Sequence, residues 1–241
     1  ASDKASFHDF YHNYYLPYTL NRHDHAAMPI TYEQMLERLS RSELLKVKRD
    51  GVTVAACMIV YDDNEVYGWK MGVLEGDQCH VQRGVIAAAY MFESQYLASK
   101  GWDEGNIGGT RAFLTDGQFQ YKKKWCIRLG SAWDQRFYVK PIRPSRGARS
   151  CLVNNPFLHR VDNRYSVAVF VDDARRVTQQ GLDQLVMRHS VAGVDRITVH
   201  SLHGDWEGVD INPTTPQVEF SPADFLWQSH PPPRPTVDRS M

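Results

Sequence analysis

Gly108-Gly109-Thr110-Arg111-Ala112-Phe113-Leu114-Thr115-Asp116-Gly117-Gln118-Phe119-Gln120-Tyr121-Lys122-Lys123-Lys124-Trp125 is the stretch whose reading decides the fold. It packs a glycine break, several aromatics, an aspartate, a tyrosine and three lysines into one turn and one helix. Paired glycines relax the backbone where a strand gives way to a turn. Asp116 stands where a helix cap or a first-turn acid belongs. Adjacent helical side chains diverge by about 100°, so Lys122, Lys123 and Lys124 cannot all face one way. One or two can reach a phosphate, and the rest form a solvated face. Trp125 is expected in the core. Tyr121 either packs beside Phe119 and Trp125 or presents its hydroxyl.

Upstream, Val81 to Lys100 reads as an alanine-rich amphipathic helix and Glu104 to Ile107 as a short strand. Leu44 to Arg49, Val52 to Tyr61 and Glu65 to Leu74 read as three strands of an antiparallel meander, with Asp50-Gly51 and Asp62-Asp63-Asn64 as hairpin turns. Before them lies an aromatic helix, Phe7 to Leu20, which Pro17 is expected to end or bend. A second helix, Tyr32 to Arg41, is capped by Thr31. Downstream, Ser131 to Lys140 reads as a strand that closes this series.

Beyond Pro141 the composition changes. Pro141 to Arg149 reads as a linker or an ordered loop. Tyr165 to Val171, Ala174 to His189 and Ile197 to Leu202 form a strand-helix-strand unit whose length favours a parallel crossover. Prolines accumulate from Pro213, and His230 to Pro235 is expected to be extended and mobile. The expected division is therefore 1–140, 141–212 and 213–241.

Composition excludes several classes. With 42% hydrophobic and 12% aromatic residues the 241-residue chain can bury a core, so global disorder is excluded. Lys plus Arg equals Asp plus Glu, at 28 each, so no global field recruits nucleic acid or a membrane surface. Cys57, Cys79, Cys126 and Cys151 are widely spaced and form no zinc pattern, which suits reduced thiols in a cytoplasmic protein. No apolar run approaches the ~18 residues of a membrane span, and no signal pattern opens the chain. The chain starts at Ala1, which allows for processing or for a longer parent. His8 and His12 stand one helical turn apart, ahead of His23-Asp24-His25. No Glu follows His8, so this is not a metalloprotease helix, and no metal is expected. Nucleophile-elbow, Walker and dinucleotide motifs are absent from the sequence.

Helix, strand, Gly-Gly turn and basic aromatic helix, in that order, resemble the second half of a GNAT-type acyltransferase domain. More closely they resemble the branch of Fem-type aminoacyltransferases and acetyltransferase-like proteins of exopolysaccharide and cellulose biosynthesis. There a strand ending in Gly-Gly, followed by a Lys-Lys-x-Trp-like helix, recurs. The resemblance covers roughly Phe7 to Lys140. It implies an α/β fold with a mixed, mostly antiparallel sheet flanked by helices, here carrying a C-terminal βαβ extension and a Pro-rich tail.

That resemblance also implies roles. The strand matched by Val66 to Leu74 meets the donor carbonyl, and the next helix points its N-terminus at the donor's phosphates. Gln82, Arg83 and Gly84 are the matching positions, with Arg111, Lys122 and Lys123 as further phosphate ligands. The usual coenzyme loop is not reproduced, since Val81 stands three residues before Gly84 and Val85-Ile86 follow it. The departure shifts weight towards a donor other than acetyl-CoA. An acyl-CoA is expected, with aminoacyl-tRNA or an acyl carrier protein as alternatives. Tyr121, as the acid for the leaving group, and Asp116 are the candidate catalytic residues. Tyr15, Arg22, His23 and Trp69 are the candidate contacts to an amine acceptor, either small or glycan-linked. A local patch from Lys122 to Arg149 can serve a tRNA donor. The rival class is a GNAT-shaped binding component of a polysaccharide assembly system, without catalysis.

Overall fold

The computed structural model describes residues 3–125, 128–130, 139, 141–143, 145–161, 164–212, 217–223 and 226, without the side chains of His23, Ala26 and Val161. The architecture is α/β, with a three-stranded antiparallel sheet, a four-stranded mixed sheet and helices. Contacts divide the chain into two compact units, Ala1–Gly109 and Thr110–Met241. The division falls inside the Gly-Gly turn, whereas the sequence reading carried the first domain to Lys140. Leu114 explains it: its N–H donates to the Pro156 carbonyl, and its side chain shares a core with Phe119 and Val167.

The first unit opens with α1 (Lys4–Asp9), whose first turn is capped by Asp3 accepting from the Ser6 N–H. A π-helical segment, Phe10–Tyr15, follows without interruption and leads into α2 (Leu16–His23). Pro17 was expected to end or bend this helix, and the helix runs through it. Proline offers no N–H and its ring crowds the carbonyl four residues back. The wider register just before it, with the Leu16 N–H donating to the Tyr11 carbonyl, accommodates that clash. Phe7, Phe10, Tyr11, Tyr14 and Tyr15 bury one face against Met35, Ala56, Met58 and Val60. A capping box of Thr31 and Gln34 opens α3 (Tyr32–Leu36), which is shorter than its sequence pattern and ends before a single 3-10 turn.

The meander is present as β1 (Ser42–Arg49), β2 (Val52–Asp62) and β3 (Glu65–Val73). Asp50 and Gly51 both take positive φ, as an Asp-Gly hairpin turn requires. At Gly72 an added Cβ would stand 2.4 Å from the Tyr14 carbonyl carbon, so the aromatic helix rests directly on β3. The expected helix from Val81 is two helices, α4 (Gln78–Gln82) and α5 (Val85–Ser99), because Gly84 turns left-handed between them at φ +83°. After α5 the expected Glu104–Ile107 strand is reduced to one parallel bridge from Asn106 to Tyr67. The Asn106 N–H donates to Val66, and the Gly68 N–H donates back to Asn106.

The second unit contains α6 (Gly117–Lys122) and α7 (Arg146–Asn154). The latter replaces the expected linker, and Ser145 caps it by accepting from the Ala148 N–H. β4 (Phe157–Val161) and β5 (Arg164–Val171) pair antiparallel. α8 (Gln179–His189), capped by Thr178, then returns the chain to β6 (Arg196–Ser201) in parallel with β5, as the sequence pattern favoured. Leu182 and Val186 of α8 pack on Val167, Val169, Ile197 and Val199. β7 (Val218–Pro222) adds a further parallel strand from the segment that had read as tail. The expected strand Ser131 to Lys140, Val139 excepted, and the prolines from His230 lie outside the described residues.

Candidate functional site

In the first unit the structure gathers two of the expected acceptor contacts, Tyr15 and Trp69, around a residue that sequence reasoning missed. β3 carries a bulge: Gly68 pairs with Ile59 and Lys70 with Met58, leaving Trp69 as the extra residue. A bulge breaks the alternation of side chains and re-aims them. The Lys70 ammonium lies 5.2 Å from the Trp69 ring centroid and 5.9 Å from that of Tyr15. Arg38, also missed, stacks its guanidinium 4.6 Å over Trp69 and donates to the Tyr67 hydroxyl at 2.6 Å. Tyr15 is buried within the π-helical segment, and its hydroxyl accepts from the Ile30 N–H at 3.0 Å.

Lys70 and Arg38 have no carboxylate partner among the described residues. Burial, and then the charge of Arg38, push the Lys70 ammonium down from its ordinary value. Aromatic faces compensate part of that cost, at about 0.5–2 kcal/mol per cation–π contact. Two cations beside a tryptophan plane suit an anionic group attached to a flat or ring-shaped body. Arg22 is not part of this cluster; it donates to the Tyr18 hydroxyl and stacks 5.7 Å from that ring. His23 ends α2, and its side chain lies outside the described residues.

The residues expected to hold donor phosphates sit elsewhere than a first helical turn. Gln82 ends α4 and Arg83 is its C-cap, both exposed. Gly84 is required by its positive φ rather than by crowding, since an added Cβ meets nothing within 4 Å. α5 starts with no side-chain cap, so its first amides keep their affinity for anions. Exposed Gln82 and Arg83 beside that uncapped end fit a phosphate-bearing donor.

The remaining candidates belong to the second unit. Asp116 caps α6, accepting from the Gln118 and Phe119 N–H groups at 2.9 and 3.1 Å. Arg111, 81% exposed, lies 3.8 Å from the same carboxylate. Lys122, expected as a phosphate ligand, is buried, only 8% exposed. A long aliphatic stem makes such burial tolerable. Lys123 donates at 3.2 Å to the Arg188 carbonyl in the last turn of α8, where a cation suits the helix dipole. Tyr121 is half-buried, its ring 6.4 Å from that of Trp125. Trp125 is 37% exposed rather than a core residue.

Among the described residues no group of three or more His, Cys, Asp or Glu is placed to hold a metal ion. The rings of His8 and His12 lie 4.4 Å apart, tilted by 43°, and both lie against Tyr32. No helix among the described residues is long and apolar enough to cross a membrane. Neither a protein-family profile, nor a curated protein, nor a solved structure matches this chain.

Proposed function

We propose that the chain is a GNAT-type N-acyltransferase that moves an acyl or aminoacyl group onto an amine of a small or glycan-linked acceptor, as in exopolysaccharide or cell-wall biosynthesis. The observation that carries this reading is the crossover from β3 through α5 to Asn106. Helices, three antiparallel strands, a helix and a parallel return follow one another in the order the resemblance implies. In this reading Gln82, Arg83 and the uncapped end of α5 bind the phosphates of an acyl-CoA, which places the reaction in the cytoplasm. Arg38, Lys70, Trp69 and Tyr15 bind the acceptor. The amine nitrogen bonds to the acyl carbon, the carbon–sulfur bond breaks, and the proton that the amine loses goes to the departing thiolate. Aminoacyl-tRNA and an acyl carrier protein remain donors to compare.

A second reading, a binding component without catalysis, is favoured by Asp116, whose carboxylate is engaged in capping α6. Thermal-shift titration with acetyl-CoA, longer acyl-CoAs, coenzyme A and aminoacyl-tRNA tests the proposal, because a ligand of the folded state raises the melting temperature by mass action. A shift with acyl-CoA that Arg83→Ala weakens, together with acyl transfer to an amino sugar, supports the enzyme. Acceptor binding without transfer from any donor supports the second reading.

A further inference from the structure

Trp69 and Lys70 share one face of β3 although they are neighbours in sequence. In a regular strand Lys70 would turn with Gly68 towards α5, where an added Cβ at Gly68 would meet the Glu93 carboxylate. The bulge at Trp69 instead sets Lys70 opposite Met58, whose side chain lies in the aromatic core. Regular alternation resumes with Met71 opposite Cys57, on the α5 face. A bulge that turns an ammonium onto a core face re-aims that group, as bulges beside working sites do. The surroundings are held in place. The Ile30 N–H fixes the Tyr15 hydroxyl, and the peptide between Tyr14 and Tyr15 rests on Gly72, two residues along the same strand.

The ammonium so placed has neither a carboxylate nor a hydrogen-bond acceptor among the described residues. Its neighbours are the Trp69 and Tyr15 rings and the Arg38 cation. A buried structural lysine is ordinarily paired, and a pairing carboxylate would keep it charged. Desolvation beside a second cation is the arrangement that frees a lysine amine for nucleophilic chemistry. Both causes act here, since burial and then the charge of Arg38 lower the affinity of Lys70 for its proton. Arg38 is half-buried like Lys70. It donates to the Tyr67 hydroxyl and keeps further N–H groups for an anion.

We propose that Lys70 is a covalent binding site for carbonyl compounds, condensing with the aldehyde or ketone of a small, flat molecule that carries an anionic group. The uncharged Nζ adds to the carbonyl carbon and a carbon–nitrogen bond forms. The carbonyl oxygen then departs as water, taking both amine protons, and leaves an imine. Nothing is oxidised or reduced. Arg38 binds the anionic group, and the Trp69 and Tyr15 rings line the body of the molecule. The imine forms without an acyl donor, so this activity stands apart from acyl transfer.

The test incubates the full chain with substoichiometric pyridoxal 5′-phosphate as a flat, anionic aldehyde probe. Borohydride then fixes any imine, and peptide mass spectrometry locates the modified lysines. Lys70 should be labelled about tenfold faster than Lys46 and Lys48, which stand exposed on β1. Pyridoxal, which lacks the phosphate, should lower that preference for Lys70 about tenfold, and Arg38→Gln should do the same. If Arg38→Gln melts early, the two probes compared on wild type decide alone. The proposal is overturned if Lys70 reacts no faster than Lys46 and Lys48, or if the phosphate gives Lys70 no advantage over them.

Discussion

In the first unit α5 returns the chain to a single parallel bridge at Asn106, whereas in the second α8 returns it to a six-pair ladder between β5 and β6. The coverings differ in kind as well. An aromatic helix lies on the first sheet, and Tyr11, Tyr14 and Tyr15 bring hydroxyls into the interior, each bonded to backbone. The second core is mostly valine, leucine and isoleucine around β5 and β6, with Phe119 among them. Its buried polar groups include the imidazoles of His159, His189 and His200, all held towards the neutral form by burial. Similar element orders thus lead to opposite electrostatic habits. The aromatic interior carries cations at its margin, and the aliphatic one holds its imidazoles neutral while burying Lys122.

The largest effect is expected at Tyr121, the leaving-group acid of the sequence reading. Tyr121→Phe keeps the ring and removes only the hydroxyl, so turnover should fall roughly 10²–10⁴-fold while donor affinity stays near wild type. Normal turnover with a lowered melting temperature would return Tyr121 to a packing role. Gly72→Ala comes next, because the obstacle to its Cβ is the Tyr14 backbone rather than a flexible side chain. Overpacking there should cost about 1–3 kcal/mol, read from the urea midpoint. Hydrogen exchange should show the loss in the first unit, and equal loss in both units would break the contrast between them.

Acid should act on the other unit. His189 and His200 titrate near 4, below the ordinary 6.5, so the unfolded chain binds protons that the native fold excludes. Stability from this source is complete above about pH 6.5 and is lost as pH falls towards 4. By pH 5 the loss should amount to on the order of 2 kcal/mol per histidine. Exchange protection in the second unit should drop first between pH 7 and 5, and His189→Gln should flatten that dependence. The smallest effect on folding is expected at Lys70, where Met keeps the stem and removes a charge that burial disfavours. Lys70→Met should leave stability within about 1 kcal/mol of wild type while weakening acceptor binding about tenfold. A large loss of stability with unaltered acceptor binding would make Lys70 a structural residue.

Much of the fold was legible in the sequence. Asp50-Gly51 between apolar runs announced the meander, and the Tyr165–His189–Leu202 pattern announced the parallel crossover, because turn chemistry and periodicity are local signals. α7 was hidden by Pro141 and Pro144, which made its approach look like a linker, although Ser145 was present as a cap. β7 was hidden by the prolines around it. The π-helical segment has no sequence period of its own; only Pro17 hinted at a disturbed helix. Tyr15 and Trp69 were named as acceptor contacts, but Arg38 and Lys70 were not, since their meeting depends on a bulge that strand register sets. Lys122 looked solvated because three consecutive lysines do not reveal which one the helix turns inward.

Pro222 ends β7, and β7 is the outermost strand of its sheet. An outer strand normally offers its free N–H and carbonyl groups to any chain that passes, which is how sheets polymerise. A short strand ending in a residue without an N–H is a poor template. Beneath it, Ile197, Thr198 and Val199 of β6 form a β-branched run of the kind that stacks into fibrils. Cutting the chain ahead of Val218 is expected to bare that run and to favour growth of copies onto one another, which light scattering of the shortened and full chains would compare.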